Sequence, residues 1–382
     1  MRQTTLKHHR TGLIATALAA VLLLGGCSDP GHGTAEQGPQ PELNEVQVLD
    51  DPRSYEGPST AVLPDAAIDP ITENPEQSLP TTVTSYGQDG TEQPVEITDT
   101  SRVVALDMSG SIAASIWALG FSDTVVGVDQ STTFPGTEDI ETVTSGGHTV
   151  NAEAIIGLDP DVVITDGSIG PRDVVEQLSD VGITVVFVEN TPSFEGAEEL
   201  TRQVAAVYGA PEVGQQLAEQ ISNDIDAKIA EISDLVPEKQ DDKVRMLFLY
   251  LRGNAGVYYM FGSESGADDL ISALGGVDVA QELGWAGMKP MTDEALVAAN
   301  PDLILTMSGG IDSVEGIEGL LAEKPAVAVT KAGENQRIVD MNDGQILSFG
   351  PRSADVLDAL ARAVYAPESL TATAVDGSHS WH

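Results

Sequence analysis

A tyrosine and an arginine two residues apart form the pair with the clearest chemical potential in this chain. Tyr250 stands at the end of the apolar run 244–251, which is typical of a buried strand, and Arg252 comes just after it. Side chains two positions apart in an extended chain point to the same face. A guanidinium beside a phenol stabilises the phenolate, whose oxygen is a good ligand for ferric iron. The pair predicts an iron ligand, although a core-edge tyrosine beside a surface arginine would look the same.

The histidine best placed to act with this pair is His148. The chain has six histidines, and the other five lie near the two ends of the sequence, outside the predicted folded body. His148 sits in the loop 145–149, where two glycines permit unusual backbone geometry just before a predicted helix. A solvated loop histidine is the alternative interpretation, and an internal repeat of the sequence favours a ligand.

An internal repeat organises the body of the protein. The segment 151–165 (NAEAIIGLDPDVVIT) aligns without gaps with 292–306 (TDEALVAANPDLILT), and the pentapeptides IWALG and ISALG also match. The pattern in each fifteen-residue copy predicts a helix, a Pro-Asp turn and a buried strand. The alignment places Lys289 at the position of His148. Because equivalent loops of two repeated lobes face each other, we expect both side chains to point into a shared cleft.

The body is predicted to be an α/β fold of two Rossmann-like lobes joined by one long α-helix, with a ligand cleft between the lobes. Strands alternate with helices in both halves, which is typical of parallel sheets. The joining helix is predicted over 211–238, because apolar residues recur there every three or four positions. The N-terminal lobe is predicted over 101–210, the C-terminal lobe over 239–367 and a disordered tail over 368–382. Ligands of such sheets bind beyond the carboxyl ends of the strands.

The first residues have the pattern of an export signal. A basic start is followed by the apolar run 13–24, so residues 1–26 are interpreted as a signal peptide. The single cysteine of the chain directly follows a Leu-Gly-Gly sequence, which predicts that Cys27 carries lipid and holds a bacterial lipoprotein on the outer face of the cytoplasmic membrane. An incidental cysteine in an uncleaved anchor is the alternative. Residues 27–100 are rich in Pro, Gly and acidic residues and are predicted to be a disordered tether.

The charge balance excludes several classes of function. The chain has 18 basic and 60 acidic residues, a formal net charge of −42. Nucleic-acid binding needs clustered Lys and Arg, so it is excluded. One cysteine also excludes a disulfide framework and a cysteine-based zinc cluster. The placement of a few basic residues should therefore say more about the ligand than the net charge does.

The motifs resemble those of one family, the solute-binding proteins of ABC importers whose lobes are joined by a helix, and within it the haem-binding lipoproteins. The resemblance extends over about 100–366. It rests on GHTVNAE at 147–153, LYLRG at 249–253, GADDLI at 266–271 and LSFGPR at 347–352.

The resemblance implies a ligand, its ligating residues and a set of partners. Ferric haem is the transported ligand, with Tyr250 and His148 as its axial ligands and Arg252 as the partner of the phenolate. No catalytic cofactor is implied. The loaded protein is expected to dock on an ABC permease with its ATPase, with haem-donor proteins upstream.

Haem carries two propionate groups, which need donors in an acidic protein. Lys289 is the first candidate, and the further candidates, two of them near a helix N-terminus that favours anions, are Arg352, Ser109 and Ser111. The side chains that could pack on the porphyrin face are Trp285, Met288 and Met291. The acidic residues that could dock on a permease are Asp123 in the first lobe and Asp268 and Asp269 in the second.

Other functions fit parts of this pattern. The same fold could hold a ferric siderophore or another organic iron chelate without axial ligands. A bare metal ion would need three or four His, Asp or Glu ligands, and the body has one histidine. An enzyme is disfavoured, because Ser109 and Ser111 lack a nucleophile-elbow pattern and His148 has no evident acidic partner. Tyr258 and Tyr259, on a predicted second strand of the C-terminal lobe, are alternative oxygen ligands.

Overall fold

The computed structural model of the chain describes residues 41–370. The predicted signal peptide, Cys27, the first part of the predicted tether and most of the predicted tail lie outside the described residues. Within 41–370, none of the helices has the length and apolar character needed to cross a membrane.

Residues 41–100 are folded, so the prediction of a disordered tether over 27–100 is wrong for this part of it. The segment contains a short 3₁₀-helix, Leu43–Glu45, and three strands. The strands are β1 (Ser59–Ala61), β2 (Thr81–Tyr86) and β3 (Glu92–Ile97). β2 and β3 pair as an antiparallel hairpin. We call residues 41–100 the N-terminal strap.

The N-terminal lobe is built on a parallel sheet with helices on both faces. Its helices are α1 (Ser111–Leu119), α2 (Ala152–Leu158), α3 (Arg172–Glu176) and α4 (Phe194–Val207). Its strands are β4 (Val103–Leu106), β5 (Val125–Val128), β6 (Glu141–Thr142), β7 (Thr144–Ser145), β8 (Thr149–Val150), β9 (Val162–Thr165) and β10 (Thr184–Phe187). Five strands run parallel in the order β10-β9-β4-β5-β6, and β7 and β8 form a separate hairpin.

The predicted joining helix is present as α5 (Pro211–Ser233) and ends five residues before the predicted boundary. It begins with Pro211, whose fixed φ angle and missing N–H suit the first turn of a helix. The apolar stripe is buried as the periodicity predicts, including Ile221, Ile225 and Ile232. The helix packs against α4 in the N-terminal lobe and against the last long helix of the C-terminal lobe.

The C-terminal lobe repeats the sandwich of helices around a sheet. Its helices are α6 (Ala267–Ala273), α7 (Val279–Glu282), α8 (Asp293–Ala299), α9 (Ser308–Asp312), α10 (Ile317–Glu323), α11 (Pro325–Ala328), α12 (Lys331–Glu334), α13 (Asp343–Ile346) and α14 (Ser353–Tyr365). Its strands are β11 (Arg245–Arg252), β12 (Val257–Phe261), β13 (Val277–Asp278), β14 (Met288–Pro290), β15 (Leu303–Met307) and β16 (Ile338–Met341). The order is β1-β16-β15-β11-β12-β14, with β13 also on β11 and β12 antiparallel to its neighbours.

The predicted repeat is confirmed down to the ends of its helices. Asn151 caps α2 and Thr292 caps α8, each with a side-chain oxygen that accepts from the amide three residues on. Both helices then end on a residue in the left-handed region, Asp159 with φ 49° and Asn300 with φ 41°. The two lobes therefore use one local design for this unit.

The Pro-Asp turn of the repeat has a structural role that is the same in both lobes. Oδ2 of Asp161 accepts from the backbone N–H of Arg102 at 2.8 Å, and Oδ2 of Asp302 accepts from that of Arg245 at 3.1 Å. Each aspartate thereby fixes the start of the repeated strand beside the start of the first strand of its lobe. This contact explains why the Pro-Asp pair recurs.

The N-terminal strap contacts both lobes. β1 pairs in parallel with β16, and the buried Arg337 donates to Oγ of Ser59 at 2.9 Å. The β2–β3 hairpin packs on the other lobe, where the N–H of Phe187 donates to Oγ of Ser85 at 2.9 Å. The strap is therefore a second connection between the lobes besides α5. Its composition predicted disorder because its few apolar residues follow no period. Its strands are ordered by pairing with, or packing on, strands that are far away in the sequence.

Candidate ligand-binding cleft

The carboxyl ends of the two sheets face each other across the boundary between the lobes. The Oγ atoms of Ser111, which follows β4, and Ser348, which follows α13, lie 3.4 Å apart. A methyl group added at Gly344, in the helix α13 that follows β16, would lie 2.9 Å from the carbonyl oxygen of Ser131, which follows β5. Segments that follow strands of the two lobes are therefore in direct contact. This is the edge at which ligands of α/β sheets bind.

Tyr250 lies on this edge in a row of side chains that share one face of the C-terminal sheet. It pairs directly with Tyr259 on β12, and its ring stacks on that of Phe261 with 5.8 Å between the centroids. The ring of Phe248 stacks on the other side of Phe261 at 5.1 Å. Tyr250 is half-buried, so its ring is held by packing while part of the side chain stays exposed.

Arg252 lies beside Tyr250, as the two-residue spacing predicts. Its guanidinium carbon is 4.8 Å from the centroid of the tyrosine ring. Its Nη1 donates to the carbonyl oxygen of Leu251 at 2.9 Å, and its Nη2 donates to Oδ2 of Asp343 at 2.5 Å. The carboxylate partner was missed in the sequence, because Asp343 is 91 residues away and approaches only when β16 lies in the same sheet.

His148 lies at the tip of the β7–β8 hairpin with its backbone in the left-handed region, at φ 63°. Its Nδ1 is 3.1 Å from both carboxylate oxygens of Asp129, the residue that directly follows β5. The expectation that His148 has no acidic partner is therefore wrong. The side chain of His148 is 25% exposed while that of Asp129 is fully buried, so the free edge of the imidazole faces outward.

An aspartate directly follows each of three neighbouring strands of the N-terminal sheet, namely Asp166 after β9, Asp107 after β4 and Asp129 after β5. Asp107 accepts from the N–H groups of Ser111 at 2.8 Å and Ile112 at 3.1 Å, and so caps α1. Burial, together with the charge of Asp166, raises the pKa of Asp107 to about 7. This recurrence was a signal in the sequence that could have pointed to Asp129.

The two serines predicted to bind propionate are engaged around Asp107. The hydroxyl of Ser109 donates to Oδ2 of Asp107 at 2.9 Å and lies 2.9 Å from the hydroxyl of Ser111. Ser111 is 1% exposed and reaches Ser348 of the other lobe. Ser111 therefore belongs to the contact between the lobes, whereas Ser109 is half-buried and is the more exposed of the two.

The residues of the loop around Lys289 divide between the two faces of the sheet. Lys289 pairs with Met260, whose side chain packs on the face opposite Tyr250, and this does not support its predicted place beside the iron ligand. Trp285 donates from Nε1 to the carbonyl oxygen of Met260 at 3.0 Å and packs in the same cluster as Met291. Met288 alone pairs with Phe261 on the face of Tyr250, and it is 60% exposed.

Arg352 is buried at the boundary between the lobes. It is 7% exposed, its guanidinium carbon lies 5.1 Å from the ring centroid of Phe134, and its Nη1 contacts the carbonyl oxygen of Ala66 at 3.5 Å. Burial lowers the pKa of Arg352 to about 10, so it stays charged at neutral pH. These contacts join the strap and both lobes, which counts against Arg352 as a propionate donor.

The three acidic residues predicted to dock on a permease have different surroundings. Oδ2 of Asp269 accepts from the N–H of Phe194 in the other lobe at 3.2 Å, so this residue is engaged between the lobes. Oδ2 of Asp268 accepts from the N–H of Glu264 at 3.2 Å in the first turn of α6. Asp123 is exposed and precedes β5, at the end of the sheet away from the cleft. Docking by Asp268 and Asp123 stays a prediction.

The two alternative tyrosines are distinguished by their environments. The hydroxyl of Tyr258 donates to Oε2 of Glu323 at 2.7 Å, and burial and this contact raise the pKa of Tyr258 to about 12. Its ring packs on the sheet face opposite Tyr250. Tyr259 lies on the same face as Tyr250 and directly beside it. Tyr259 is therefore the better placed of the two to contact a ligand in the cleft.

A cavity of about 740 Å³ lies away from the cleft, between the β2–β3 hairpin and α3. The basic side chain that lines this cavity, Arg172, already has protein partners. It donates from Nε to Glu176 and from Nη2 to the carbonyl oxygen of Tyr86, both at 2.9 Å. The guanidinium also covers the ring of Phe187. Arg172 thus joins the strap to the lobe. Within 41–370, no three His, Cys, Asp or Glu side chains gather closely enough to hold a metal ion.

Two curated relatives of this chain are named for substrate or cobalamin binding. An uncharacterized ABC transporter substrate-binding lipoprotein, YvrC of Bacillus subtilis, is 26% identical over 362 residues, which cover 93% of this chain and 97% of that protein. A cobalamin-binding protein of Halobacterium salinarum is 28% identical over 267 residues, which cover 69% of this chain and 69% of that protein.

Solved structures of similar proteins have the same fold. The heme binding protein HmuT is 39% identical with a TM-score of 0.76, covering 83% of this chain and 99% of that one. The periplasmic heme-binding protein RhuT from Roseiflexus sp. RS-1, in apo form, is 33% identical with a TM-score of 0.62, covering 70% of this chain and 99% of that one. The fold of this chain therefore agrees with these structures over the covered residues. A family model described as periplasmic binding protein matches residues 103–343, and the chain therefore belongs to that family of substrate-binding proteins.

Proposed function

We propose that this protein binds ferric haem outside the cytoplasm and delivers it to an ABC permease. The observation that carries the proposal is that a tyrosine and a histidine, two side chains able to bind iron, lie on opposite lobes at the edge where the lobes meet. Tyr250 ends β11 beside Arg252, and His148 sits on a hairpin that is fixed to the carboxyl end of β5. A phenolate and an imidazole are both known types of axial ligand to haem iron.

The relatives support haem as the ligand. HmuT and RhuT, both named as heme-binding proteins, are 39% and 33% identical to this chain. Solved structures of HmuT include variants in which one arginine, one tyrosine or one histidine is replaced by alanine. The replaced arginine and tyrosine of HmuT are two positions apart, as Tyr250 and Arg252 are here. These are the residue types of Arg252, Tyr250 and His148 in this chain.

The proposed mechanism is capture without chemical change of the ligand. The phenolate oxygen of Tyr250 binds ferric iron from the C-terminal lobe, and the imidazole of His148 binds it from the N-terminal lobe. Arg252 supplies positive charge beside the phenolate. Met288, Tyr259 and the aromatic stack behind Tyr250 offer apolar surface for the porphyrin. Docking on the permease separates the lobes, which breaks one iron bond and releases the haem.

Export and anchoring complete the proposal. The family consists of ABC transporter substrate-binding proteins, so a permease and its ATPase are the expected partners. YvrC, which is named a lipoprotein, aligns with 93% of this chain. We therefore propose that residues 1–26 are removed and that lipid on Cys27 holds the protein at the outer face of the cytoplasmic membrane.

Absorption spectroscopy of the purified protein with added ferric haem tests the ligand. We expect a saturable Soret shift at one haem per protein. Tyr250→Ala and His148→Ala should each change the spectrum, and the double variant should lose saturable binding. No Soret shift in the wild type would overturn the proposal. A shift that both single variants leave unchanged would overturn the assignment of the two iron ligands.

A corrinoid is the second candidate, because two groups of relatives are named for it. The cobalamin-binding protein of Halobacterium salinarum and the vitamin B12-binding protein of Salmonella choleraesuis are 28% and 26% identical to this chain. Calorimetric titration with cyanocobalamin, ferric haem and a ferric siderophore compares these classes directly. We expect heat of binding from haem alone. Tighter binding of cyanocobalamin than of haem would decide for the corrinoid.

A further inference from the structure

We propose that Asp129 is a positioning residue that fixes the tautomer and orientation of His148 for binding iron. This inference deepens the proposed function and rests on it. Asp129 lies outside the segments 147–153 and 249–253, which contain His148, Tyr250 and Arg252. It is identified by its contact with the histidine, by its burial and by the way in which its carboxylate is held.

The contact between Asp129 and His148 involves only one edge of the imidazole. Both carboxylate oxygens lie 3.1 Å from Nδ1, a distance typical of a hydrogen bond to nitrogen. A carboxylate only accepts hydrogen bonds, so Nδ1 must carry the proton and donate it. The neutral ring then has its lone pair on Nε2, the nitrogen on the opposite edge. Asp129 therefore selects the tautomer that leaves Nε2 able to bind a metal.

The rest of the lobe holds the carboxylate of Asp129 in place. The N–H of Ser131 donates to Oδ1 at 2.7 Å, and the hydroxyl of Thr144 donates to Oδ2 at 2.8 Å. The Thr144 hydroxyl in turn accepts from the N–H of Gln130 at 3.1 Å, which sets its direction. Asp129 itself is fully buried at the end of β5. Because Ser131 follows β5 and Thr144 lies at the base of the hairpin, both oxygens are engaged and the carboxylate is held in one orientation toward the hairpin tip.

The backbone of His148 indicates that this support is needed. The residue has φ 63°, a conformation that costs a side chain other than glycine roughly 1–2 kcal/mol. Gly147 just before it has φ 81°, so the tip of the hairpin is built for this shape. Without a partner at Nδ1, the ring of a quarter-exposed histidine on such a tip would sample several rotamers. The hydrogen bond to Asp129 limits the ring to one orientation. The ring therefore loses less conformational entropy when it binds iron.

Carboxylates that accept a hydrogen bond from a ligating histidine have measurable effects on metal binding. Ligating histidines commonly donate their other N–H to a carboxylate, and loss of that partner costs roughly 10- to 100-fold in metal affinity. In this protein Tyr250 would bind the same iron, so the effect of Asp129 is partly masked in the wild type. The background in which it should appear in full is Tyr250→Ala, where His148 is the remaining ligand.

The first experiment is a double-mutant cycle with ferric haem as the probe. Asp129→Asn should raise the dissociation constant for haem roughly 10- to 100-fold in the Tyr250→Ala background. It should have no effect in the His148→Ala background, because its contribution passes through that histidine. Electron paramagnetic resonance of Asp129→Asn should also show a smaller low-spin fraction than wild type. Asp166→Asn, which changes the equivalent aspartate after β9, is the matched control and should behave as wild type.

The second experiment uses no haem. Nitrogen-15 NMR of the imidazoles in the ligand-free protein should show His148 with its proton on Nδ1, assigned by its absence in His148→Ala. Asp129→Asn should move the proton to Nε2 or mix the two tautomers. This readout separates the two ideas, since it stands even if the wild type fails to bind haem.

Different results would overturn the proposed haem binding and the proposed positioning role of Asp129. If haem gives no Soret shift while the Nδ1 tautomer is present and depends on Asp129, the proposed ligand is wrong and the positioning contact is right. If haem binds but Asp129→Asn leaves both the tautomer and the low-spin fraction unchanged, the positioning role is wrong. An equal loss of affinity in the His148→Ala background would also overturn it, because that result means a general effect on the fold.

Discussion

The guanidinium of Arg252 pairs with the carboxylate of Asp343 while it lies beside the ring of Tyr250. Its Nη2 donates to Oδ2 of Asp343 at 2.5 Å, and Oδ1 of the same carboxylate accepts from the N–H of Gly309 at 2.8 Å. The guanidinium carbon is 4.8 Å from the centroid of the tyrosine ring. The positive charge that would favour the phenolate is therefore shared with an acid held in place by a second contact.

Removal of the acid should strengthen the proposed iron ligand. We expect Asp343→Asn to lower the dissociation constant for ferric haem by up to about fivefold, because a partly exposed ion pair contributes about 1 kcal/mol or less. The affinity is measured by competition against apomyoglobin. Asp343→Asn combined with Arg252→Ala is the control and should show no gain over Arg252→Ala. Weaker haem binding in Asp343→Asn would mean that Asp343 orients Arg252 instead of competing for it.

The contact between Ser131 and Gly344 should be sensitive to a single methyl group. In Gly344→Ala the new methyl would lie 2.9 Å from the carbonyl oxygen of Ser131 and 3.0 Å from Oγ1 of Thr133, so the lobes must shift. Overpacking of this kind costs roughly 1–3 kcal/mol. We expect a lower free energy of unfolding in urea and a larger radius of gyration in solution scattering. Gly350→Ala, where the methyl would meet open space, is the matched control. Equal stabilities of the two variants would contradict this prediction.

The parts of the fold with local signals were predictable from the sequence. Asn151 and Thr292 cap equivalent helices because cap, helix, turn and strand follow one another within fifteen residues, and such patterns need no knowledge of distant contacts. The apolar stripe of α5 and the position of Tyr250 near the end of a strand were also predictable from local patterns. The two-residue spacing that places Arg252 beside Tyr250 is likewise a local pattern.

The partners of the site residues were not predictable in this way. Asp129 is 19 residues from His148, and Asp343 is 91 residues from Arg252. Which strand ends lie side by side depends on the order of strands in each sheet, and local periodicity does not encode that order. The prediction that the N-terminal strap is disordered failed for the same reason, because the strap is held in place by pairing with β16 and by packing on β10.

The two tyrosines of β12 should differ in their effect on ligand binding. Tyr258→Phe removes the hydrogen bond to Glu323 on the sheet face opposite Tyr250, so it should cost about 1 kcal/mol of stability and leave the haem spectrum unchanged. Tyr259→Phe changes a hydroxyl beside Tyr250 and should alter the spectrum of the ferric complex. Absorption spectra and urea unfolding of both variants provide the measurement. A spectrum changed by Tyr258→Phe alone would reverse the assignment of the two faces.

Asp107 should make the stability of the protein depend on pH. Burial and the charge of Asp166 raise its pKa from 3.8 to about 7 in the folded state, so between these values the folded protein binds more protons than the unfolded chain. Its contribution to stability is therefore greatest at low pH and is lost as the pH rises toward 7. We expect Asp107→Asn to flatten the fall of the unfolding free energy between about pH 4 and pH 7, measured in urea. An unchanged slope would show that Asp107 is ionised throughout.

The N-terminal strap should depend on one buried arginine. Arg337 donates to Oγ of Ser59 at 2.9 Å and to the carbonyl oxygens of Ala363 and Val364 at 2.6 and 3.0 Å. Burial lowers the pKa of Arg337 to about 10, so it remains charged at neutral pH. Arg337→Met keeps the apolar stem and removes every donor, which should cost roughly 3 kcal/mol.

The loss should appear first in the strap itself. Hydrogen exchange should become faster in β1 before the rest of the C-terminal sheet, because β1 is an edge strand held by β16 and by this side chain. Arg53→Met, in a partly exposed arginine of the same segment, is the control and should change stability by less than about 1 kcal/mol. If Arg337→Met accelerated exchange uniformly across both lobes, the arginine would support the whole fold and not the strap in particular.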